Sequence, residues 1–368
     1  MNSSKNPKWE IPIDKYHAHF DCFSGAAGDM MLAACLDAAR SKQDEMIRYI
    51  QFCLEHGLPD LKGEFTISTK RVRKSKMGSI SANYLMVHSK YNHTPAPVPK
   101  PAQDGNSENS NDDPHHHDHS HHHHHDHHHH HNHEQQSKNQ NANDGSKPLI
   151  DNDESAFSDT NSHSLSQSHN HVNSVNGPLR NLPEIRSMLE KASTQYIPQW
   201  VKTMSIAAFT ELAQAEAMTH GASSPDDVHF HEVGAIDSIV DTVGTCLALH
   251  LLGVTSVSCS RLPIGEGTVW TEHGLLPVPT PATLYLMIGM PICPGPPGRT
   301  GELVTPTAAA LLKVLTRIPN QTSSNGHGDI MDRPPRMTIR HIGIGAGTKD
   351  FVKHPNILRL ILGNNVNE

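Results

Sequence analysis

The sequence predicts an α/β (α+β) protein: a mixed sheet with flanking helices, interrupted by a long disordered histidine-rich insert. Three observations carry that expectation. Strand-like alternation, a glycine-bearing turn and a helix-period stretch follow one another between residues 15 and 39, and the same order, with threonine and proline in the turn, recurs at 301–315. An apolar stripe at three- and four-residue steps runs through Ile236, Ile239, Val240, Val243, Leu247 and Leu251. Finally, the composition breaks sharply between residues 91 and 178.

The 368 residues leave room for two domains and a good core. The apolar fraction of 35% is nevertheless low for a globular chain, and most of the deficit lies in 91–178. That segment holds 12 Asp/Glu against 3 Lys, a net of -9, so the chain's total of -8 leaves +1 for the remainder. A nearly neutral folded part argues against a nucleic-acid binder, which needs a basic face. The six cysteines form no CxxC pair and fall inside apolar segments, as reduced buried thiols do. No apolar run reaches the length of a membrane span, and MNSSKNPKWEIP has neither a signal h-region nor an Arg-rich amphipathic pattern. These features describe a soluble protein of a reducing compartment, the cytoplasm, with no membrane partner.

In chain order, KYHAHFDCF alternates as a short strand, with Tyr16, Ala18 and Phe20 on one side and Lys15, His17 and His19 on the other. SGAAGDM then turns into the helix-prone MLAACLDAA. Strand, glycine turn and helix make a cradle for an anion, with Gly25 and Gly28 permitting close approach, Asp29 opening the helix and Asp21 ending the strand. The same residues also serve as a plain tight turn capped by Ser24 or Asp29, and the Walker lysine and dinucleotide fingerprint are absent. A helix over 44–56 stops at Gly57. Residues 64–88 read as a hairpin around Met77-Gly78, with a basic cluster at Arg71, Arg73, Lys74 and Lys76.

Between His115 and His133, 15 of 19 positions are histidine. Such a composition cannot bury enough apolar surface to offset chain entropy, so 91–178 reads as a disordered insert, dispensable for folding, within a domain made of 1–90 and 179–368. Imidazoles suit nickel, zinc and copper, which makes His115, His116, His117, His119 and their neighbours candidate metal ligands. After the insert come a helix from Asn181 to Ala192, with Asn181 as N-cap, and another from Pro198 to His220, ending at Gly221.

The stretch from Pro225 to Thr283 concentrates the chemistry-bearing side chains. His229 and His231, two apart, share one side of an extended strand, and Glu232 follows. Asp237 and Asp241 lie four apart on the flank of the apolar stripe, where like charges repel by a few tenths of a kcal/mol, so a cation between them is a natural explanation. Carboxylates near a helix start also favour its dipole, which is the plainer account. Val254 to Pro263 is strand-like, 264–267 a turn, and His273, held by a rigid turn before LLPVPTPAT, is a ligand, an acid/base or a simple turn residue. Residues 291–301 read as loop. GELVTPTAAALLKVL then places Glu302, Thr305 and Thr307 at a helix N-terminus. After a loose loop at 319–334, strands at 337–343 and 356–362 flank GIGAGTKD. The Gly, Thr, Pro, Glu and His residues at element ends suggest loops gathered on one side of a sheet, where α/β folds hold ligands.

FDCFSGAAGDMMLAACLDA, HFHEVGAIDSIVDTVG, LPIGEGTVWTEHGLLPVPTPATLYLM, GELVTPTAAALL and GIGAGTKDFVKHPNILRLILG together resemble the nickel-insertion (LarC) family of lactate racemase maturation, in the family's order and across most of the residues outside the insert. The resemblance implies CTP-dependent insertion of nickel into pyridinium bisthiocarboxylic acid mononucleotide, making the nickel-pincer nucleotide for a lactate racemase-type apoenzyme. It also implies CTP with Mg or Mn, a homo-oligomer, and a further CTP-binding C-terminal domain beyond Glu368, so that the chain is expected to be a fragment, to be completed by a separate chain, or to act differently. On that reading Asp21, Ser24, Gly25, Gly28, Asp29, Thr305 and Thr307 hold the organic ligand. His229, His231, Asp237 and Asp241 hold the metal, and His273, Asp237 and Glu232 are the candidate catalytic groups. The competing readings are a nickel storage or delivery chaperone whose whole activity is the histidine tract, and a zinc hydrolase, which lacks any HExxH spacing.

Overall fold

The computed structural model describes residues 6–75, 79–91, 179–228, 230, 235–271, 273–298, 301–317 and 333–365. These residues all belong to one compact unit, made of 1–98 and 171–368. His115, His116, His117, His119, His229, His231 and Glu232 lie outside the described residues, as does the expected hairpin turn at Met77-Gly78.

The chain is mixed α/β. Its principal sheet runs in the order β2 (Phe65–Lys74), β3 (Ile80–Ser89), β9 (Met337–Ala346), β10 (Ile357–Asn365), β1 (Tyr16–Asp21), β4 (Val254–Cys259). β1 pairs antiparallel with β10 and parallel with β4, while β3 touches β9 through a single parallel pair, Asn83 opposite Gly345. That narrow seam is stitched by the buried Asp37, at the end of α1 (Gly28–Ala38). Its Oδ2 accepts from the Ile344 amide at 2.8 Å and its Oδ1 from Arg71, and the Asn83 side chain donates to Ala33 O at 3.1 Å.

α1 is buried nearly all round, as a helix apolar on every face must be. It can lie directly on β9 because Gly343 and Gly345 face it. A Cβ at those positions would sit 1.9 Å from Ala34 O and 2.0 Å from Met30 O. α5 (Ile236–Leu251) packs on the other side of α1, with Gly244 against Leu32. α4 (Gln199–His220) joins α5, α6 (Pro281–Met287) and α7 (Pro306–Leu315), while α2 (Gln43–Gly57) and α3 (Leu182–Lys191) complete the helical side. α3 starts on a full capping box, Asn181 with Glu184, and α4 ends at Gly221 in the left-handed region, φ 65°.

Four sequence expectations change. β8 (Ile292–Pro294) lies within the predicted 291–301 loop and pairs in parallel with β5 (Leu262–Ile264). A short hairpin, β6 (Thr268–Thr271) and β7 (Gly274–Pro277), precedes α6. The strand expected in GELV is only one bridge, Val304 to Ala26. His17 and His19 belong to no polar outer face: they are 5% and 1% exposed, and Ser258 Oγ stands between His17 Nε2 (2.7 Å) and His19 Nδ1 (2.8 Å), with Ser256 Oγ 2.8 Å from His17 Nδ1. The six cysteines are free, five of them buried.

Candidate functional site

The loop after β1 and the segment before α7 are zipped together: Ala26 N donates to Leu303 O and Thr305 N to Ala26 O, each at 2.9 Å. This brings the starts of α1, α5 and α7 to one place. A Cβ on Gly28 would lie 2.9 Å from Asp241 Cβ and Oδ2 and 3.2 Å from Thr307 Cγ2. Asp29 stands in the first turn of α1, Asp237 in the first turn of α5, and Asp241 one turn further on.

The three carboxylates act on one another. Burial, and then the charge of Asp237, pushes the Asp29 carboxyl up to about 6, although the Met30 amide donates to its Oδ1 at 2.8 Å. Burial, followed by the charges of Asp29 and Asp237, pushes Asp241 well above the carboxylate range. Asp241 Oδ1 is sealed from solvent and finds no hydrogen-bond donor among the described residues. A buried acceptor left in this state costs about 1–3 kcal/mol unless something else occupies it. Among the described residues no group of three His, Cys, Asp or Glu side chains is placed to hold a metal ion, so Asp29, Asp237 and Asp241 do not by themselves make a metal site.

Asp29 also lines a cleft of about 140 Å³. Ala27, Met30, Val269, Leu303 and Phe351 make apolar walls, and Glu302, Thr305, Thr348, Lys349 and Asn356 add polar groups. The Glu302 carboxylate faces the α6 start, where Oε1 accepts from Thr280 at 3.0 Å and Thr283 at 2.8 Å.

The predicted organic-ligand residues divide. Asp29 and Thr305 line the cleft, and Gly28 and Thr307 sit against Asp241, although the Thr305 hydroxyl is already used to cap the Ala308 amide at 3.4 Å. Asp21 is paired with Arg359 and lies outside the cleft lining. Ser24 is 1% exposed and donates to Pro355 O at 2.6 Å. Gly25, at φ 116°, is pressed so closely on Leu303 O that a Cβ would lie 2.0 Å from it, and its amide donates to Cys22 O. Within the SGAAG turn the Gly25 amide is thus taken by Cys22 O and the Ala26 amide by Leu303 O, so neither is open to an anion. His273 is exposed on the β6–β7 turn, off the cleft, with its ring 4.7 Å from that of His220, which in turn reaches Glu216 at 3.4 Å. Asp29, expected on the phosphate or metal side, lies beside Asp237 and Asp241, whose charges bear on one another; Lys349, which lines the cleft, was not among the expected site residues. The one signal for Lys349 was its place straight after GIGAGT.

The model of the nickel insertion protein family matches residues 18–368. A Myxococcus xanthus (strain DK1622) protein named for nickel insertion is 44% identical over 187 residues, covering 50% of this chain and 43% of its own length. Equivalents from Geobacter metallireducens, 46% identical over 186 residues, and Rippkaea orientalis, 44% over 188, are covered to 43% and 41% of their lengths. The aligned part of the chain thus spans less than half the length of these curated relatives. No solved structure matches it. With its match extending across both sides of the insert, this chain belongs to the nickel insertion protein family.

Proposed function

We propose that the chain handles nickel as cargo and that Asp29, Asp237 and Asp241 receive the ion during its insertion into an organic acceptor. The observation that carries this reading is the sealed Asp241 Oδ1, which has no donor among the described residues, together with the charges of Asp29 and Asp237 acting on the same carboxyl. Nickel accepts mixed oxygen and nitrogen ligands, and carboxylates must shed protons to bind it. With Asp29 near 6, nickel entry displaces a proton from the trio, and the same carboxylate, lining the cleft, can afterwards accept one from the acceptor. Three carboxylates alone hold a borderline cation weakly, and His229, His231 and Glu232, only a few residues ahead of Asp237 in the chain, are the proposed nitrogen and oxygen supplement.

The motif resemblance supports pyridinium bisthiocarboxylic acid mononucleotide as the acceptor and a lyase-type cyclometallase as the reaction class. The cleft encloses about 140 Å³, less than the roughly 300–1,000 Å³ of pockets that bury a whole drug-sized ligand, so it holds only part of an acceptor and leaves the remainder in its open mouth.

Nickel titration calorimetry on the chain lacking 115–133 tests the reading, since that deletion removes the competing histidines. One site is expected to remain and to vanish in Asp241→Asn, together with nickel insertion. Complete loss of nickel binding on the deletion alone would favour the storage reading, and equal binding by Asp241→Asn would overturn the carboxylate site.

A further inference from the structure

The cleft has a second pole that the nickel reading does not use. Lys349, in the loop after β9, is exposed at the rim, and its Nζ donates to the Glu302 carbonyl oxygen at 2.6 Å. The Glu302 carboxylate that acts on it electrostatically is turned onto Thr280 and Thr283, and the adjacent Asp350 is taken by Lys74 at 2.8 Å. Among the described residues no carboxylate reaches Lys349 Nζ within ion-pair distance. Partial burial of the ammonium lowers its pKa, with Glu302 opposing.

The loop that carries Lys349 is held from behind. The buried Lys74 donates to Thr348 O and Lys349 O at 3.4 Å, Asn356 donates to Lys349 O at 3.0 Å, and Gly347 N to Asn356 O at 3.1 Å. An ammonium so positioned, with no carboxylate in ion-pair contact among the described residues and sharing the cleft with Asp29 and the apolar Met30, Leu303, Val269 and Phe351, is placed to meet an anionic ligand. The volume admits the head of such a ligand, a ring or a few heavy atoms, and not a whole nucleotide.

We infer that Lys349 grips an oxyanion, carboxylate or phosphate, on a small apolar-ringed organic acceptor, and so turns the opposite edge of that acceptor toward Asp29. This inference rests on the nickel-insertion reading for its acceptor, while the anion contact stands on the cleft itself. Lys349 is on this account a binding and positioning residue.

Three nickel-free probes separate the oxyanions: nicotinic acid mononucleotide carries carboxylate and phosphate, nicotinamide mononucleotide phosphate only, and nicotinic acid riboside carboxylate only. Calorimetry on the full chain should show binding of the first and of one of the other two, which names the oxyanion. Lys349→Met should weaken that binding about tenfold or more, the range of a lost charge-assisted hydrogen bond, while Lys349→Arg retains part of it. A second measurement needs no variant: the same probe should protect Lys349 of the wild-type chain from amine acylation read by mass spectrometry. Unaltered probe binding by a folded Lys349→Met, absence of binding to the wild type, or unprotected acylation overturns the assignment. If probes bind through Lys349 but Asp241→Asn leaves nickel uptake unchanged, the anion contact stands and the nickel reading falls. If nickel uptake is lost in Asp241→Asn while probe binding is indifferent to Lys349, the nickel reading stands and the anion contact falls.

Discussion

The half-buried Asp29 and the buried His19 both titrate away from their ordinary values, and they pull the pH dependence of stability in opposite directions. Asp29 titrates near 6 in the folded chain, above its unfolded value. The folded state thus binds the extra proton, and stability falls as pH rises from about 4 to 6, remaining reduced at neutral pH. Asp29→Asn keeps an acceptor for the Met30 amide while removing the charge. It is expected to raise the melting temperature by about 2–4 °C at pH 7.5 for each kcal/mol relieved and to leave it unchanged at pH 4, with nickel uptake reduced. A lower melting temperature at pH 7.5 would show that the charge is structural. His19 runs the other way: burial lowers its pKa to about 4, outweighing the pull of Asp21. The unfolded chain takes up the proton first, so its contribution to stability is present above about 6.5 and is lost on acidification toward 4. Its imidazole resonances should still report the neutral form at pH 5.5, and a proton already bound there would contradict the buried serine pairing.

At the scale of elements, the packing of α1 on β9 decides whether the carboxylates meet at all, because Asp29 rides on α1. A methyl at Gly345 meets the Met30 carbonyl, a backbone atom that cannot rotate away. Overpacking costs about 1–3 kcal/mol where side chains can shift, so Gly345→Ala is expected at or beyond the upper end. Circular dichroism melts beside nickel titration should show both declining together. This packing was not legible in the sequence: GIGAG reads as a glycine-rich turn, yet β9 continues through Ala346. Strand-interior glycines and turn glycines look alike until the partner backbone is known. Helices α1, α4 and α5, the hairpin strands β2 and β3, and the Asn181 cap followed directly from periodicity and capping chemistry. The β6–β7 hairpin escaped because each strand has four residues, and the burial of His17 and His19 escaped because their serine partners lie about 240 positions away. The Asp237–Asp241 pairing was legible as a four-residue step on one helix flank, but only topology brings Asp29 near Asp241.

At the scale of the molecule, the question is how a domain tolerates being split between β3 and α3. Both sides of the split return to one carboxylate. Glu64 Oε1 accepts from Lys90 Nζ at 3.1 Å and from the Tyr91 hydroxyl at 2.9 Å, and Oε2 accepts from Arg180 at 3.4 Å. Burial alone would raise the Glu64 pKa, but those hydrogen bonds and the Arg180 charge overcome it and hold it below the usual carboxylate range. The chain thus leaves and re-enters the fold at neighbouring points, which a linker of about eight residues, reaching at most ~3.3–3.6 Å each, can bridge. Replacing 92–178 with such a linker shortens the closed loop roughly tenfold, and loop-closure entropy then favours the folded state by on the order of 2 kcal/mol. The shortened chain should melt at the same temperature or higher, with undiminished cooperativity. Glu64→Ala tests the stitch separately: in the parent chain it should cost about 1–3 kcal/mol, the scale of a lost buried acceptor with charged donors. In the shortened chain the same substitution should cost less, since the linker now helps to hold the two ends together. A loss of cooperative unfolding on excision would instead show that the insert belongs to the folded core. An equal cost of Glu64→Ala in both chains would mean that Glu64 stabilises β2 and not the junction.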